Sequence, residues 1–241
     1  MNPRYRLGVL TPSSNTALEP LTSAMLADLP GATAHFARFP VTEISLRDAS
    51  LRQFDDSKIL DAARLLADAK VDVICWSGTS AGWLGFDTDE RLCARIGEAT
   101  GIPATTSVLA LNEALSIFGA RTLGLVTPYV AEVQQRIVAN YEAIGVRCSA
   151  ERHLGRQVNF SFAEVEPAEL QALVREVAAE RPEAITTFCT NLRAAQLVHG
   201  LEAETGIPVF DTVSTVVWKA LRIAGAETIA LRRWGRLFEA R

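Results

Sequence analysis

Residues 7–12 read LGVLTP, and residues 123–128 read LGLVTP. Each stretch is an apolar run of strand length that ends in Thr-Pro. The tetrapeptide TGIP occurs at residues 100–103 and again at 205–208, in both cases before a helical pattern. Upstream of each TGIP, an apolar run ends in a turn of small residues, SGTS (77–80) and FCTN (188–191). Three matches in the same order indicate a duplication, with a repeat unit of about 115 residues.

Strand-like runs alternate with helical patterns along the chain. The runs VDVICW (71–76) and EAITTFC (183–189) are almost continuously apolar, which is typical of strands buried on both faces. Apolar spacing predicts helices at 57–69, 87–99, 107–118, 130–144, 168–180 and 191–204, with a further helical pattern from Leu18 to Leu29. We therefore predict an α/β fold with parallel sheets flanked by helices.

Composition limits the classes of function. The chain has 241 residues, of which 49% are hydrophobic, enough for a large packed core. A net charge of −4 without a basic cluster argues against nucleic-acid binding. No apolar run approaches the roughly 18 residues of a membrane span, and the N-terminus lacks a signal-peptide pattern, so we expect a cytoplasmic protein without membrane association. The four scattered cysteines predict neither a zinc site nor disulfides, and no nucleotide-binding motif is present, so no cofactor is expected.

Small and polar residues follow four of the predicted strands, at TPSSN (11–15), GTS (78–80), TPY (127–129) and CTN (189–191). Ligands of open α/β sheets bind beyond the carboxyl ends of the strands. If the two halves face each other about a pseudo-twofold axis, all four loops converge on one cleft. Their hydroxyl, amide and helix-start N–H groups are suited to an anion, although ordinary helix capping is an open alternative.

Cys189 is the thiol that stands at such a strand end. The repeat aligns Cys189 with Gly78, so one half offers a thiol where the other offers only backbone. Cys75 lies within an apolar strand and is predicted to be a core residue, and we expect structural roles for Cys93 and Cys148. His35, His153 and His199 share no spacing, and we expect surface or packing roles for them.

These stretches, with CTNLR (189–193) and GRLFE (235–239), resemble the aspartate/glutamate racemase superfamily, and within it the branch of arylmalonate decarboxylases and maleate cis-trans isomerases. The resemblance covers essentially the whole chain. It implies two pseudo-symmetric flavodoxin-like halves with the active site between them, no cofactor, and a small carboxylate as substrate. Racemases and isomerases of this superfamily typically carry one cysteine in each half, whereas the decarboxylases have Gly-Thr-Ser at the first position. Gly78 and Cys189 therefore match the decarboxylase arrangement.

The resemblance also implies roles for individual residues. Cys189 is expected to be catalytic, and the substrate- or oxyanion-binding set is expected to comprise Pro12, Ser14, Asn15, Gly78, Thr79, Ser80, Tyr129, Asn159, Thr190 and Asn191. Asn15 and the CTNLR stretch look more like the isomerases, and Asn159 falls where the isomerases carry a substrate-binding Asn. Phe160 and Phe162 are candidates for an apolar pocket around a departing carboxylate.

Three functions follow from these observations. The first is a cofactor-independent decarboxylase of a small malonate-like acid, in which an oxyanion hole stabilises an enediolate and Cys189 protonates it. The second is an isomerase or racemase of a small dicarboxylate, and the third is a non-catalytic carboxylate-binding protein. A helix start at Cys189 would lower its pKa.

We further predict that residues 1–104 with 213–241 form one half and 105–212 the other, because each TGIP precedes a helix that, by the resemblance, crosses to the opposite half. The oligomeric state is left open, with a homo-oligomer allowed.

Overall fold

Two parallel four-stranded sheets with the same strand order form the centre of the computed structural model, which describes residues 4–46 and 56–240. The first sheet has the order β2-β1-β3-β4 and comprises β1 (Tyr5–Pro12), β2 (Ala32–Phe39), β3 (Val73–Trp76) and β4 (Ala104–Thr106). The second has the order β6-β5-β7-β8 and comprises β5 (Thr122–Thr127), β6 (Arg147–His153), β7 (Ala184–Thr187) and β8 (Val209–Asp211). The predicted α/β fold with two similar halves is confirmed.

Helices flank both sheets. They are α1 (Leu18–Leu26), α2 (Asp56–Asp68), α3 (Ala81–Leu84), α4 (Phe86–Thr100), α5 (Ser107–Ile117), α6 (Ala131–Ala143), α7 (Pro167–Ala178), α8 (Val198–Thr205) and α9 (Thr212–Ile223). Short 3₁₀ helices span Asn159–Glu164, Ala195–Leu197, Ile229–Trp234 and Arg236–Glu239. None of the helices in the described ranges is both long and apolar enough to cross a bilayer.

The two TGIP segments end α4 and α8 in the same way. The hydroxyls of Thr100 and Thr205 each donate to a carbonyl one helical turn earlier, at 2.7 Å. The glycines that follow, Gly101 and Gly206, adopt φ angles of 70° and 75°, the left-handed conformation that glycine tolerates at a helix end. Each tetrapeptide is therefore a helix stop that leads into a short strand, β4 or β8.

The entries into β3 and β7 are also duplicated. Lys70 and Arg181 are the two non-glycine residues of the described ranges with positive φ, at 52° and 50°. Two residues later, the Asp72 carboxylate accepts from the Arg6 backbone N–H at 2.6 Å, and the Glu183 carboxylate accepts from the Arg121 backbone N–H at 2.7 Å. Equivalent turns in equivalent places support the duplication found in the sequence.

Helix α9 follows β8 of the second sheet but packs against α5 and also contacts β3 and β4 of the first sheet. The Thr215 hydroxyl donates to the Ser107 carbonyl at 3.0 Å, which joins α9 to α5. The division into residues 1–104 with 213–241 and residues 105–212 stays a prediction. Residues 1–3, 47–55 and 241 of the first half lie outside the described ranges.

Candidate active site

A small cavity of about 20 Å³ lies at the carboxyl ends of strands from both sheets. Such a volume holds about one water molecule. Eight of the predicted site residues line this cavity: Pro12, Gly78, Thr79, Ser80, Tyr129, Asn159, Cys189 and Thr190. The other three, Ser14, Asn15 and Asn191, lie behind the lining and are hydrogen-bonded to it. The fold thus brings the predicted residues of both halves to one place.

Cys189 follows the end of β7 and is only 3% exposed. Burial raises the pKa of its thiol to about 12, although hydrogen bonds from the Tyr129 hydroxyl and the backbone N–H groups of Asn191 and Leu192 act in the opposite direction. The Asn191 N–H lies 3.4 Å from the Cys189 sulfur. The thiol is therefore neutral near pH 7, which makes it a proton donor and a poor nucleophile.

The helix predicted to begin at residue 191 begins instead at Val198, after a turn and a 3₁₀ segment. The reason lies in the side chains of Thr190 and Asn191. They bond to Thr16, Ser77 and Asn159 and do not cap a helix of their own. The expected lowering of the Cys189 pKa by a helix N-terminus is consequently absent from this part of the described structure, and that expectation is corrected.

Thr79 and Tyr129 join the two halves across the cavity. Their hydroxyl oxygens lie 2.7 Å apart. The Tyr129 ring is held by edge contacts with Trp83 and Phe162, at centroid distances of 5.3 and 5.6 Å. Burial raises the pKa of Tyr129 well above its usual value, and the neighbouring Cys189 adds to the increase. The phenol therefore stays protonated and can donate a hydrogen bond to an anion.

Asn15 and Asn191 fix the loops that carry the lining residues. The Asn15 side-chain amide donates to the Thr190 hydroxyl at 3.2 Å, and that hydroxyl donates to the Ser77 carbonyl at 3.1 Å. The Asn191 side-chain oxygen accepts from the backbone N–H of Thr16 at 2.9 Å. These hydrogen bonds tie the two halves together, so both asparagines position the wall of the cavity.

Asn159 reaches the cavity from the 3₁₀ segment after β6. Its side-chain amide donates to the Ser14 hydroxyl at 2.8 Å, and Ser14 donates to the Val41 carbonyl at 2.5 Å. The Asn191 amide donates to the Asn159 carbonyl at 2.6 Å. Ser14 and Asn159 thereby connect the 3₁₀ segment after β6 to the segment that carries Val41.

The apolar residues of the lining were missed by the sequence interpretation: Val41, Ile44, Trp76 and Trp83. The predicted contributors do not line the cavity. Phe160 is 51% exposed, and Phe162 is fully buried behind the Tyr129 ring. The two tryptophans flank Gly78-Thr79-Ser80 in the sequence. Their position beside a predicted site loop could have identified them as lining residues.

The remaining cysteines lie away from the cavity lining. Cys75 is buried and its thiol donates to the Gly8 carbonyl at 3.2 Å, as expected for a core residue. Burial raises the pKa values of Cys93 and Cys148 to about 12. All four cysteines are free. Within residues 4–46 and 56–240, no group of three or more His, Cys, Asp or Glu side chains is arranged to hold a metal ion.

Known proteins are similar to this chain in sequence and in fold. The family model described as "Arylmalonate decarboxylase" matches residues 8–238. An arylmalonate decarboxylase of Bordetella bronchiseptica is 30% identical over 75% of this chain and 77% of its own length. A maleate isomerase of Pseudomonas putida is 27% identical over 95% of each chain. The structure of a Nocardia farcinica maleate cis-trans isomerase variant with a covalently bound succinylcysteine intermediate is 24% identical, with a TM-score of 0.89 over 97% of this chain and 98% of that one.

Proposed function

Because the chain belongs to the arylmalonate decarboxylase family of enzymes, we propose that it is a cofactor-independent decarboxylase of a small malonate-like carboxylic acid. One observation carries this proposal. Among the described residues, Cys189 is the cysteine that lines the cavity, and the position that mirrors it in the first half is Gly78. One thiol serves a reaction that protonates one face of a carbanion. It does not serve a racemase that removes and returns a proton on opposite faces.

The proposed reaction begins with cleavage of the bond between the α-carbon and one carboxylate. Its electron pair moves into the remaining carboxylate to give an enediolate, and CO₂ leaves. The hydroxyls of Thr79, Ser80 and Tyr129 are placed to donate to the enediolate oxygens, and such preorganised donors are often the largest contribution to catalysis. The Cys189 thiol then gives its proton to the α-carbon, and water restores the proton to the thiolate.

The leaving carboxylate requires a different environment. A charged group without partners is unfavourable in an apolar environment, whereas CO₂ carries no net charge. Val41, Ile44 and Trp76 supply apolar surface in the same cavity lining as the donor hydroxyls. A lining that combines apolar surface with hydroxyl donors fits a reaction in which one carboxylate is held and the other departs.

An isomerase of a small dicarboxylate is the second candidate. Asn159 and the similarity to maleate isomerases support it. The isomerase reaction shown by a covalent succinylcysteine needs a nucleophilic thiolate. Gly78 offers no thiol, and burial keeps the Cys189 thiol protonated, so the decarboxylase is the better supported function. A non-catalytic carboxylate-binding protein is the third candidate. The free cysteines fit a reducing compartment such as the cytoplasm, where we place the protein.

The test is a panel of 2-substituted malonates, with CO₂ release as the readout and maleate as a separate substrate followed by its ultraviolet absorbance. We expect CO₂ from at least one malonate and no change in maleate. Conversion of maleate without CO₂ release would establish the isomerase. Binding of the acids without any turnover would leave a binding protein.

A further inference from the structure

The indole ring of Trp76 occupies the space that a side chain at residue 78 would need. A Cβ atom built on Gly78 would lie 2.0 Å from Cζ2 and 2.3 Å from Cε2 of Trp76, far closer than such atoms approach in proteins. Gly78 is not among the described glycines with positive φ. The restriction at residue 78 is therefore steric, and Trp76 imposes it.

The indole is held in this position from several sides. Trp76 is only 1% exposed at the end of β3. Its ring contacts that of Phe39, with centroids 5.0 Å apart, and its Nε1–H donates to the Ser80 hydroxyl at 3.4 Å. Buried side chains with several partners do not move aside without cost, since protein interiors are close-packed. Trp76 is thus a fixed wall of the cavity.

This wall bounds a cavity of about 20 Å³ that Val41, Ile44 and Trp83 also line. The same lining includes Cys189 and the hydroxyls of the proposed oxyanion hole. This cavity has to widen to admit any malonate. A methyl or ethyl group adds little to that requirement, whereas a phenyl group would also have to displace the fixed indole of Trp76. The size of the substituent on the α-carbon is consequently limited by the residue at position 76.

We propose that Trp76 is a specificity-determining residue that restricts the substrate to malonates with a small alkyl substituent and excludes aryl substituents. The proposal rests on the decarboxylase function argued above. Hydrophobic pockets discriminate by size, and substituents that differ by several carbons exceed the 10–200-fold known for one methylene.

The experiment compares methylmalonate with phenylmalonate in the wild-type enzyme and in W76L, with kcat/KM for CO₂ release as the readout. We expect the wild type to prefer methylmalonate by about 100-fold or more in kcat/KM. In W76L this ratio should be at least about tenfold smaller. The matched control is W234L. Trp234 lies on the 3₁₀ segment Ile229–Trp234, away from the cavity, and bonds to Asp28. This control should keep the wild-type preference, because a ratio of two substrates is insensitive to lost stability. An unchanged ratio in folded W76L would overturn the proposal.

Binding of the product acids tests the size limit independently of catalysis. Calorimetry with propionate and phenylacetate needs no turnover. We expect wild-type protein to bind propionate and not phenylacetate, and W76L to bind both. Wild-type protein that binds phenylacetate as tightly as propionate, or that binds neither acid, would refute the size limit. The expected binding without CO₂ from any malonate would instead refute only the decarboxylase function. If W76L does not fold, W76F makes the same comparison with a smaller change.

Discussion

The hydroxyl of Thr79, which follows β3 of the first sheet, lies 2.7 Å from the hydroxyl of Tyr129, which follows β5 of the second sheet. Neither loop could form this pair alone, so the pair exists because the two halves face each other. Each hydroxyl has one proton to give, and the hydrogen bond between them uses one of the two. The other can be donated to the Cys189 sulfur or to a ligand that takes its place. The pair is therefore a preorganised donor directed at the cavity.

We predict that Tyr129→Phe lowers kcat for decarboxylation by about 100-fold or more, the usual effect of removing one oxyanion donor. Loss of the phenol also leaves the Thr79 hydroxyl without its partner. The control is Tyr141→Phe, because the Tyr141 hydroxyl is buried and has no hydrogen-bond partner in the described structure. Steady-state kinetics should show near wild-type activity for this control. Equal activity of both variants would mean that Tyr129 has no part in the reaction.

We predict that Cys189→Ser abolishes turnover and retains binding of the product acid. A hydroxyl is a much weaker acid than a thiol, while the shape of the cavity changes little. The controls are Cys93→Ser and Cys148→Ser, which lie outside the cavity lining and should alter stability at most. Kinetics and calorimetry on the three variants check both parts. Full turnover by Cys189→Ser would rule out the thiol as the proton donor.

Much of the architecture could be predicted because its information is local. Buried parallel strands such as β3 and β7 have short apolar sequences, and TGIP follows the predicted helices that correspond to α4 and α8. None of the four edge strands was predicted. Two of them, β4 and β8, have only three residues each, and the longer two, β2 and β6, have the sequences ATAHFARF and RCSAERH. Each pairs on one side and leaves many residues partly exposed, so neither shows a continuous apolar run.

The positions of site residues could be predicted from strand ends, and that of Asn159 from the family resemblance. Cys189 and Thr79 were found from strand ends, because these converge in this class of fold. The turn after Cys189 was not predicted, because it depends on the bond between Asn191 and Thr16, which is 175 residues away in the chain. Trp76 was interpreted as an ordinary residue of a buried strand. Its contact with Gly78 depends on side-chain direction at the end of β3, which the sequence pattern does not specify.

Asp89 on α4 gives a prediction about pH and stability. Burial raises the pKa of this carboxyl from 3.8 to about 7, and one of its oxygens has no hydrogen-bond partner in the described structure. The folded state thus binds more protons than the unfolded state between pH 4 and 7, and this residue makes stability fall as the pH rises through that window. A shift of this size corresponds to a change on the order of 4 kcal/mol.

We therefore expect Asp89→Asn to gain free energy of unfolding relative to wild type as the pH is raised from 4 to 7, with no further gain above pH 8. Urea unfolding of both proteins at several pH values measures the difference, and other titrating groups cancel in it. A difference that does not vary with pH would show that Asp89 titrates at its usual pKa in the folded protein.

The contact between Trp76 and Gly78 obstructs the placement of a second thiol opposite Cys189. Gly78→Cys alone would force its Cβ into the indole ring, so we expect a loss of stability of about 3 kcal/mol or more and little activity. Trp76→Ala together with Gly78→Cys removes the obstruction. The free energy of unfolding of the double variant should exceed the value expected from adding the two single effects. We expect the difference to be about 0.5–3 kcal/mol, the range for residues in contact. Urea unfolding of the four proteins gives this coupling.

The double variant also tests the one-thiol mechanism. With a thiol on each side of the cavity, the carbanion from a prochiral 2,2-disubstituted malonate can be protonated on either face. We expect the product to lose enantiomeric purity and its α-hydrogen to exchange with deuterium from the solvent. Trp76→Ala alone, which keeps Gly78, should give product of one hand without added exchange, and so separates the effect of the thiol from that of the enlarged cavity. An active double variant whose product is as pure as that of Trp76→Ala would show that residues 78 and 189 do not address opposite faces of the substrate.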